Sequence, residues 1–85
     1  VRNRHRAIEQ RMSTLTPDER AVLAKVLEGT PNKLIARDLD MGLRTVELRR
    51  SNLMKKMGAE SLAELIQMAL AVGFAKDLPA PPRPH

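Results

Sequence analysis

Between Gly42 and Gly58 runs the stretch LRTVELRRSNLMKKM, which contains no proline and no glycine. Nothing local interrupts it, so it can wind as one continuous helix of about four turns. At roughly 100° per residue, Val46, Leu53, Met54 and Met57 gather on one side. Arg44, Leu48, Ser51 and Lys55 gather on the other, with Glu47 and Asn52 beside them. A rod that is apolar on one side and cationic on the other needs a partner for each. The rest of the chain must cover the first side. The second carries groups that reach phosphates and base edges, and it reads as a DNA-recognition face.

What can cover the apolar side is limited by composition. Phe74 is the only aromatic residue among 85, although 42% of the chain is hydrophobic. The core must therefore come from Leu, Ile, Val, Ala and Met, which suits packed helices better than a β-sandwich. A chain this short makes one small domain with a modest core. The expected fold class is all-α. A formal charge of +5 points to a polyanionic partner, nucleic acid first. The absence of cysteine rules out a disulfide framework and a thiolate metal site, and fits a reducing cytoplasm. No apolar run approaches membrane-spanning length and no signal-peptide pattern is present, so no membrane partner is expected. The chain begins at Val1, which reads as a piece of something longer.

Residues 1–14 carry Arg2, Arg4, Arg6 and Arg11, with Ile8 and Met12 four apart. They read as a basic linker, or a helical extension, from an upstream domain; the short apolar stripe is expected to bury little. The sharper alternative is a basic arm that adds phosphate contacts. Thr16-Pro17-Asp18-Glu19 is a helix start with all its parts: Thr16 as N-cap, proline at the first helical position, and Glu19 completing a capping box. That helix is expected over 17–28, burying Val22, Leu23, Val26 and Leu27 and ending at Gly29.

Thr30-Pro31 turns the chain, and Asn32 is expected to cap a short helix over 33–39 with Leu34, Ile35 and Leu39 inward. Asp40-Met41-Gly42 then leads into the long helix at 43–57, and two helices joined by so short a glycine-containing turn describe a helix-turn-helix. Ser61 with Glu64 starts a fourth helix over 62–72, with Leu62, Leu65, Ile66, Ala69 and Leu70 as its stripe. Met68, Ala71 and Val72 lie off that stripe and are the candidates for a dimer face. Phe74 is expected to fold back as a plug, and residues 75–85, with four prolines, read as a flexible tail.

Residues 15–74 resemble the DNA-binding output domain of the LuxR–FixJ family of bacterial response regulators and quorum sensors. The resemblance rests on Leu15-Thr16-Pro17, Glu19, Val22-Leu23, Gly29, Asn32-Lys33, Ile35-Ala36, Leu39, Thr45-Val46-Glu47, Arg50-Ser51-Asn52 and Lys56-Met57, followed by Ser61-Leu62, Glu64-Leu65 and Met68-Ala69-Leu70. It implies a four-helix bundle whose third helix enters the major groove of double-stranded DNA and whose fourth makes a homodimer contact. It also implies an upstream receiver or sensor domain, with RNA polymerase as a further partner. Three positions depart from the family pattern. Asp18 stands where arginine is usual, Gly42 replaces a serine cap, and Arg49 replaces a common histidine.

Chemistry and resemblance together suggest roles. Glu47, Leu48 and Ser51 are the candidate base contacts: a carboxylate accepts from cytosine N4, an apolar group meets a thymine methyl, and a hydroxyl suits either edge. Glu47 has the alternative of pairing with Arg50 or Ser51. Asn32, Lys33, Arg44, Thr45, Arg49, Asn52, Lys55 and Lys56 are the candidate backbone contacts, with a solvated charge as the alternative for each lysine of the last pair. Arg50 is expected at the core edge, in an ion pair with Glu19. Enzymatic chemistry has little to work with: there is no cysteine, the histidines lie near the two termini, and no phosphate-cradling loop is present. Asp38 and Asp40 read as a polar helix edge before they read as a catalytic pair. No cofactor is expected. The rival reading is a helical RNA-binding or protein-interaction module. Single-stranded RNA recognition relies on stacking aromatics that this chain lacks, and a pure interaction bundle leaves the cationic face unexplained.

Overall fold

Local capping chemistry sets several of the helix ends. The computed structural model describes residues 2–74, with side chains from residue 5 onward. Over that span α1 is Arg2–Ser13, α2 Pro17–Leu27, α3 Asn32–Asp38, α4 Leu43–Met57 and α5 Leu62–Ala71, with no strand among the described residues. The proline-rich tail at 75–85 and the side chains of Arg2 and Arg4 lie outside the described residues. No helix among the described residues is long and apolar enough to cross a membrane.

At the start of α2 the full capping box forms. Thr16 Oγ1 accepts from the Glu19 N–H at 3.1 Å, and Glu19 Oε1 accepts from the Thr16 N–H at 2.8 Å. At α5, Ser61 Oγ accepts from the Glu64 N–H at 3.1 Å, the serine half of the second box. α4 ends at Gly58, whose φ of 68° lies in the left-handed region. α3 differs from expectation at its start: Pro31 occupies the N-cap position and Asn32 is the first helical residue. The Asn32 side chain is engaged elsewhere and makes no cap.

All five helices contribute to one core. Val22, Leu23, Ile35, Val46, Leu53, Met57 and Leu65 are fully buried, with Leu15, Val26, Ala36, Met68 and Ala69 around them. Leu34 is 40% exposed, so the expectation that it points inward fails, and Ile35 with Ala36 forms the inner edge of α3. α1 is the larger surprise. Its Ile8 and Met12 are only 2% and 6% exposed and belong to the same cluster, so this segment is an integral fifth helix that buries its whole short stripe. Polar ties hold it there. Arg11 Nη1 donates to the Met57 carbonyl at 3.1 Å, supplying a cation to the unsatisfied carbonyl end of α4. Arg20 Nη2 donates to the Met12 carbonyl at 3.0 Å, and His5 Nε2 donates to the Ala71 carbonyl. Arg11 also crowds Gly58, where an added Cβ would lie 3.1 Å from Nη1. The left-handed backbone angle is what calls for glycine there, since the end of the Arg11 side chain can give by a few tenths of an ångström.

α5 keeps Leu65 and Ala69 inward as expected, but its buried face is turned away from the rest of the expected stripe. Leu65, Met68 and Ala69 are buried and Val72 packs against the core, whereas Leu62 and Leu70 are exposed. The sequence LAELIQMALA is apolar nearly all round, so two stripes satisfy the helical period equally well. Packing selects the one through Leu65, Met68, Ala69 and Val72. Phe74 does fold back as expected: it is half-buried, packs on the core and, with Met12 and Arg20, lines a cleft beside α1.

Candidate nucleic-acid interface

α3 and α4 meet across the turn at 39–42, where Met41 N–H donates to the Ala36 carbonyl at 2.8 Å. Asp40 takes a φ of 53°, a left-handed position that aspartate tolerates better than most residues. Asp38 at the end of α3 is held by Arg37 at 3.2 Å and Lys25 at 3.4 Å. The hydrogen bond from Arg37, then the one from Lys25, keeps its carboxyl below the ordinary aspartate range despite some desolvation. Asp38 therefore works as a fastener between the end of α2 and α3. Gly42 is the N-cap of α4, with extended φ and ψ of −70° and 153° and no side chain to offer the first turn.

α4 then sorts its side chains by direction. Val46, Leu53 and Met57 are completely buried and Met54 is half-buried. On the opposite arc Arg44, Glu47, Leu48, Ser51 and Lys55 are exposed. Leu48, at 57% exposure, is the most exposed of the large apolar side chains among the described residues. No side-chain hydrogen bond or ion pair among the described residues engages any of these five, so the alternative pairing of Glu47 with Arg50 or Ser51 is not what forms. Lys33, exposed on the first turn of α3, is equally uncommitted, and Thr45 and Asn52 lie half-buried at the edge of the arc.

The flanks of α4 are occupied. Lys56 Nζ donates to Glu19 Oε1 at 2.7 Å and to the Thr14 carbonyl at 3.3 Å. Glu19 is only 2% exposed. Burial alone would raise its pKa, but hydrogen bonds from Lys56 and from the Thr16 N–H, with the charge of Lys56, outweigh that and hold it below the ordinary glutamate range. Lys56 is thus a structural tie to α2, so its charge is already engaged within the protein at a position expected to be a backbone contact. It also displaces Arg50 from the expected pair: Arg50 Nη1 donates to Asn32 Oδ1 at 2.7 Å. Arg50 and Lys56 sit on opposite sides of the buried stripe, so only one of them can face the first turn of α2. Asn32 accordingly spends its oxygen on α4.

Arg49 lies on the same flank as Lys56, seven residues earlier. Its Nη2 stands 3.6 Å from Asp18 Oδ2, and its Nε is shut off from solvent without an acceptor. Two of the three positions that depart from the family pattern therefore meet each other. Neither this pairing nor that of Lys56 is among the sequence-based expectations, although the signal is present. Arg49 and Lys56 at i, i+7 share one side of α4 and face the consecutive acids Asp18 and Glu19.

On α5 the proposed dimer residues divide. Met68 is 4% exposed and sits in the core, so it offers no surface; Val72 is half-buried against the core, and Ala71 is exposed. The apolar groups that do reach the surface are Leu62 and Leu70, with half-buried Ile66 between them.

Comparison with known proteins agrees with this architecture. The family profile described as bacterial regulatory proteins, luxR family, matches residues 13–69. The transcriptional regulatory protein FixJ of Rhizobium meliloti is 55% identical over 67 residues, covering 79% of this chain and 33% of that protein. The nitrate/nitrite response regulator protein NarL of Escherichia coli is 41% identical over 56 residues, covering 66% and 26%. The crystal structure of full-length FixJ from B. japonicum superposes with a TM-score of 0.77 at 42% identity, covering 85% of this chain and 36% of that one. The chain spans about a third of the length of the FixJ relatives it matches. It belongs to the luxR family of bacterial regulatory proteins, as a DNA-binding helix-turn-helix domain and not an enzyme.

Proposed function

We propose that this domain reads a specific duplex by laying the outer arc of α4 in the major groove. Leu48 and Ser51 contact base edges and Glu47 selects against or accepts from them. Arg44, Lys55 and Lys33 contact phosphates, with Thr45 and Asn52 at the edge of the arc. The observation that carries this reading is the split on α4 itself: the inward side chains and the flanking Arg49, Arg50 and Lys56 are committed within the protein, while the five outer ones are exposed and uncommitted. A helix whose protruding leucine and serine lie between free cations matches the chemistry of a groove lined by phosphates.

The domain acts as the output end of a longer response regulator, downstream of a receiver domain that controls its access to DNA, in the bacterial cytoplasm. It works with RNA polymerase at the promoter. Two copies bind paired half-sites through α5. With Met68 in the core, the self-association surface is the edge formed by Leu62, Ile66 and Leu70, spaced four residues apart, which places apolar groups in water along one side of a helix.

The test is a duplex recovered from a random oligonucleotide pool. Leu48→Ala or Ser51→Ala should weaken that duplex by about 1–3 kcal/mol and leave a scrambled duplex nearly unchanged. Equal losses on both would remove the base-reading role. Leu70→Glu should abolish cooperative occupancy of paired half-sites while single-site binding persists; retained cooperativity would place the dimer contact elsewhere.

A further inference from the structure

Asp18 is the odd member of the α2–α4 seam. Its neighbour Glu19 is buried and grips Lys56 at 2.7 Å. The Asp18–Arg49 pair is looser, at 3.6 Å, with the two side chains 56% and 34% exposed. That separation exceeds the usual length of a charge-assisted hydrogen bond, about 2.7–2.9 Å. Arg49 is also poorly satisfied, since its Nε is sealed from water and meets no acceptor. A guanidinium has five donors and fits two oxygens of one anion at once. This one rests against a single carboxylate oxygen, beside the arc of α4 that carries Lys55 and Asn52.

We propose that Asp18 is a positioning residue that limits DNA affinity by holding Arg49 back from the phosphate backbone. The proposal rests on the reading that the outer arc of α4 faces a duplex. A phosphodiester arriving next to that arc must take Arg49 from Asp18 and approach Asp18's own charge while doing so. Because phosphates carry no sequence information, the restraint acts alike on cognate and non-cognate duplex. It sets how tightly the domain binds any DNA, while Leu48 and Ser51 set which DNA.

The experiment measures affinity against salt for this chain, using a labelled mixed-sequence duplex and the duplex recovered from the random pool. Thermal melts verify that each variant is folded. Asp18→Asn should raise affinity for both duplexes by a similar factor, about fivefold at physiological salt, and steepen the salt slope by about 0.9, the signature of one added phosphate contact. Asp18→Glu, which keeps both the helix-end charge and a carboxylate for Arg49, should retain the wild-type slope. In an Arg49→Gln background Asp18→Asn should produce no gain. An unchanged affinity in Asp18→Asn overturns the proposal, and so does a gain that survives Arg49→Gln, since the aspartate then acts without the arginine. If Asp18→Asn is silent while Leu48→Ala still loses cognate discrimination, only this proposal fails. If both are silent, the placement of α4 on the duplex fails with it.

Discussion

Lys55 and Lys56 are neighbours in sequence, equal in charge, and opposite in employment. Lys56 turns to the α2 side, where it satisfies a buried carboxylate and a loop carbonyl. Lys55, about 100° further round, points outward with no partner among the described residues. The same contrast runs the length of α4. Arg49 and Arg50 are drawn to the two flanks by Asp18 and Asn32, while Arg44 and Lys55 stay free. The net charge of the chain therefore overstates its phosphate-binding capacity. Several cations on the recognition helix are fasteners that fix its orientation, and fewer are left to meet a polyanion.

Substitutions on the two sides of α4 should separate these jobs, beginning with the largest effect. Leu53→Ala, on the buried side, should cost about 2–5 kcal/mol in urea unfolding, because it removes a fully buried side chain and leaves a cavity. Leu48→Ala on the outer side should change stability by no more than about 0.5 kcal/mol. Comparable losses would mean that Leu48 is not free in solution.

Next comes the seam. Glu19→Gln should destabilise by about 1–3 kcal/mol, discounted from a fully buried pair because Lys56 is 36% exposed and can rehydrate. The sign of the pH dependence follows from the lowered carboxyl pKa. The Glu19–Lys56 tie is present above the unfolded value near 4.5 and is lost as pH falls through the folded value below it. Wild type should therefore lose more stability than Glu19→Gln on acidification below about pH 4.5. Parallel acid curves would show that the tie contributes little.

The smallest effect is the sharpest comparison. Lys55→Ala should flatten the salt slope of DNA binding by about 0.9 with little change in melting temperature. Lys56→Ala should lower the melting temperature and leave the slope nearly unchanged. Interchanged results would contradict the division of the two lysines.

The helix boundaries were legible from sequence because caps are local. Thr16, Pro17 and Glu19 fix one start, Gly42 and Gly58 bracket α4, and all four anticipated helices fall within about a residue of their expected ends. The outer arc of α4 was legible too, since its two faces differ sharply in polarity. What failed depended on tertiary geometry. α5 is apolar on both sides, so periodicity could not tell Met68 from Leu70. Ile8 and Met12 make a stripe too short to announce its own burial; they are buried because α4 and α5 supply the other wall. Partner choice failed for a simpler reason. Arg50 and Lys56 were each compatible with Glu19 by charge, and only the side of α4 on which each stands decides between them.

Intermolecular nuclear Overhauser effects, with this chain bound to the duplex recovered from the random pool, show which side of α4 meets the bases. With α4 in the major groove, contacts run from the Leu48 methyl groups to base protons or thymine methyls, and none from Leu53 or Leu62. Base contacts from α5 with none from Leu48 would contradict that placement.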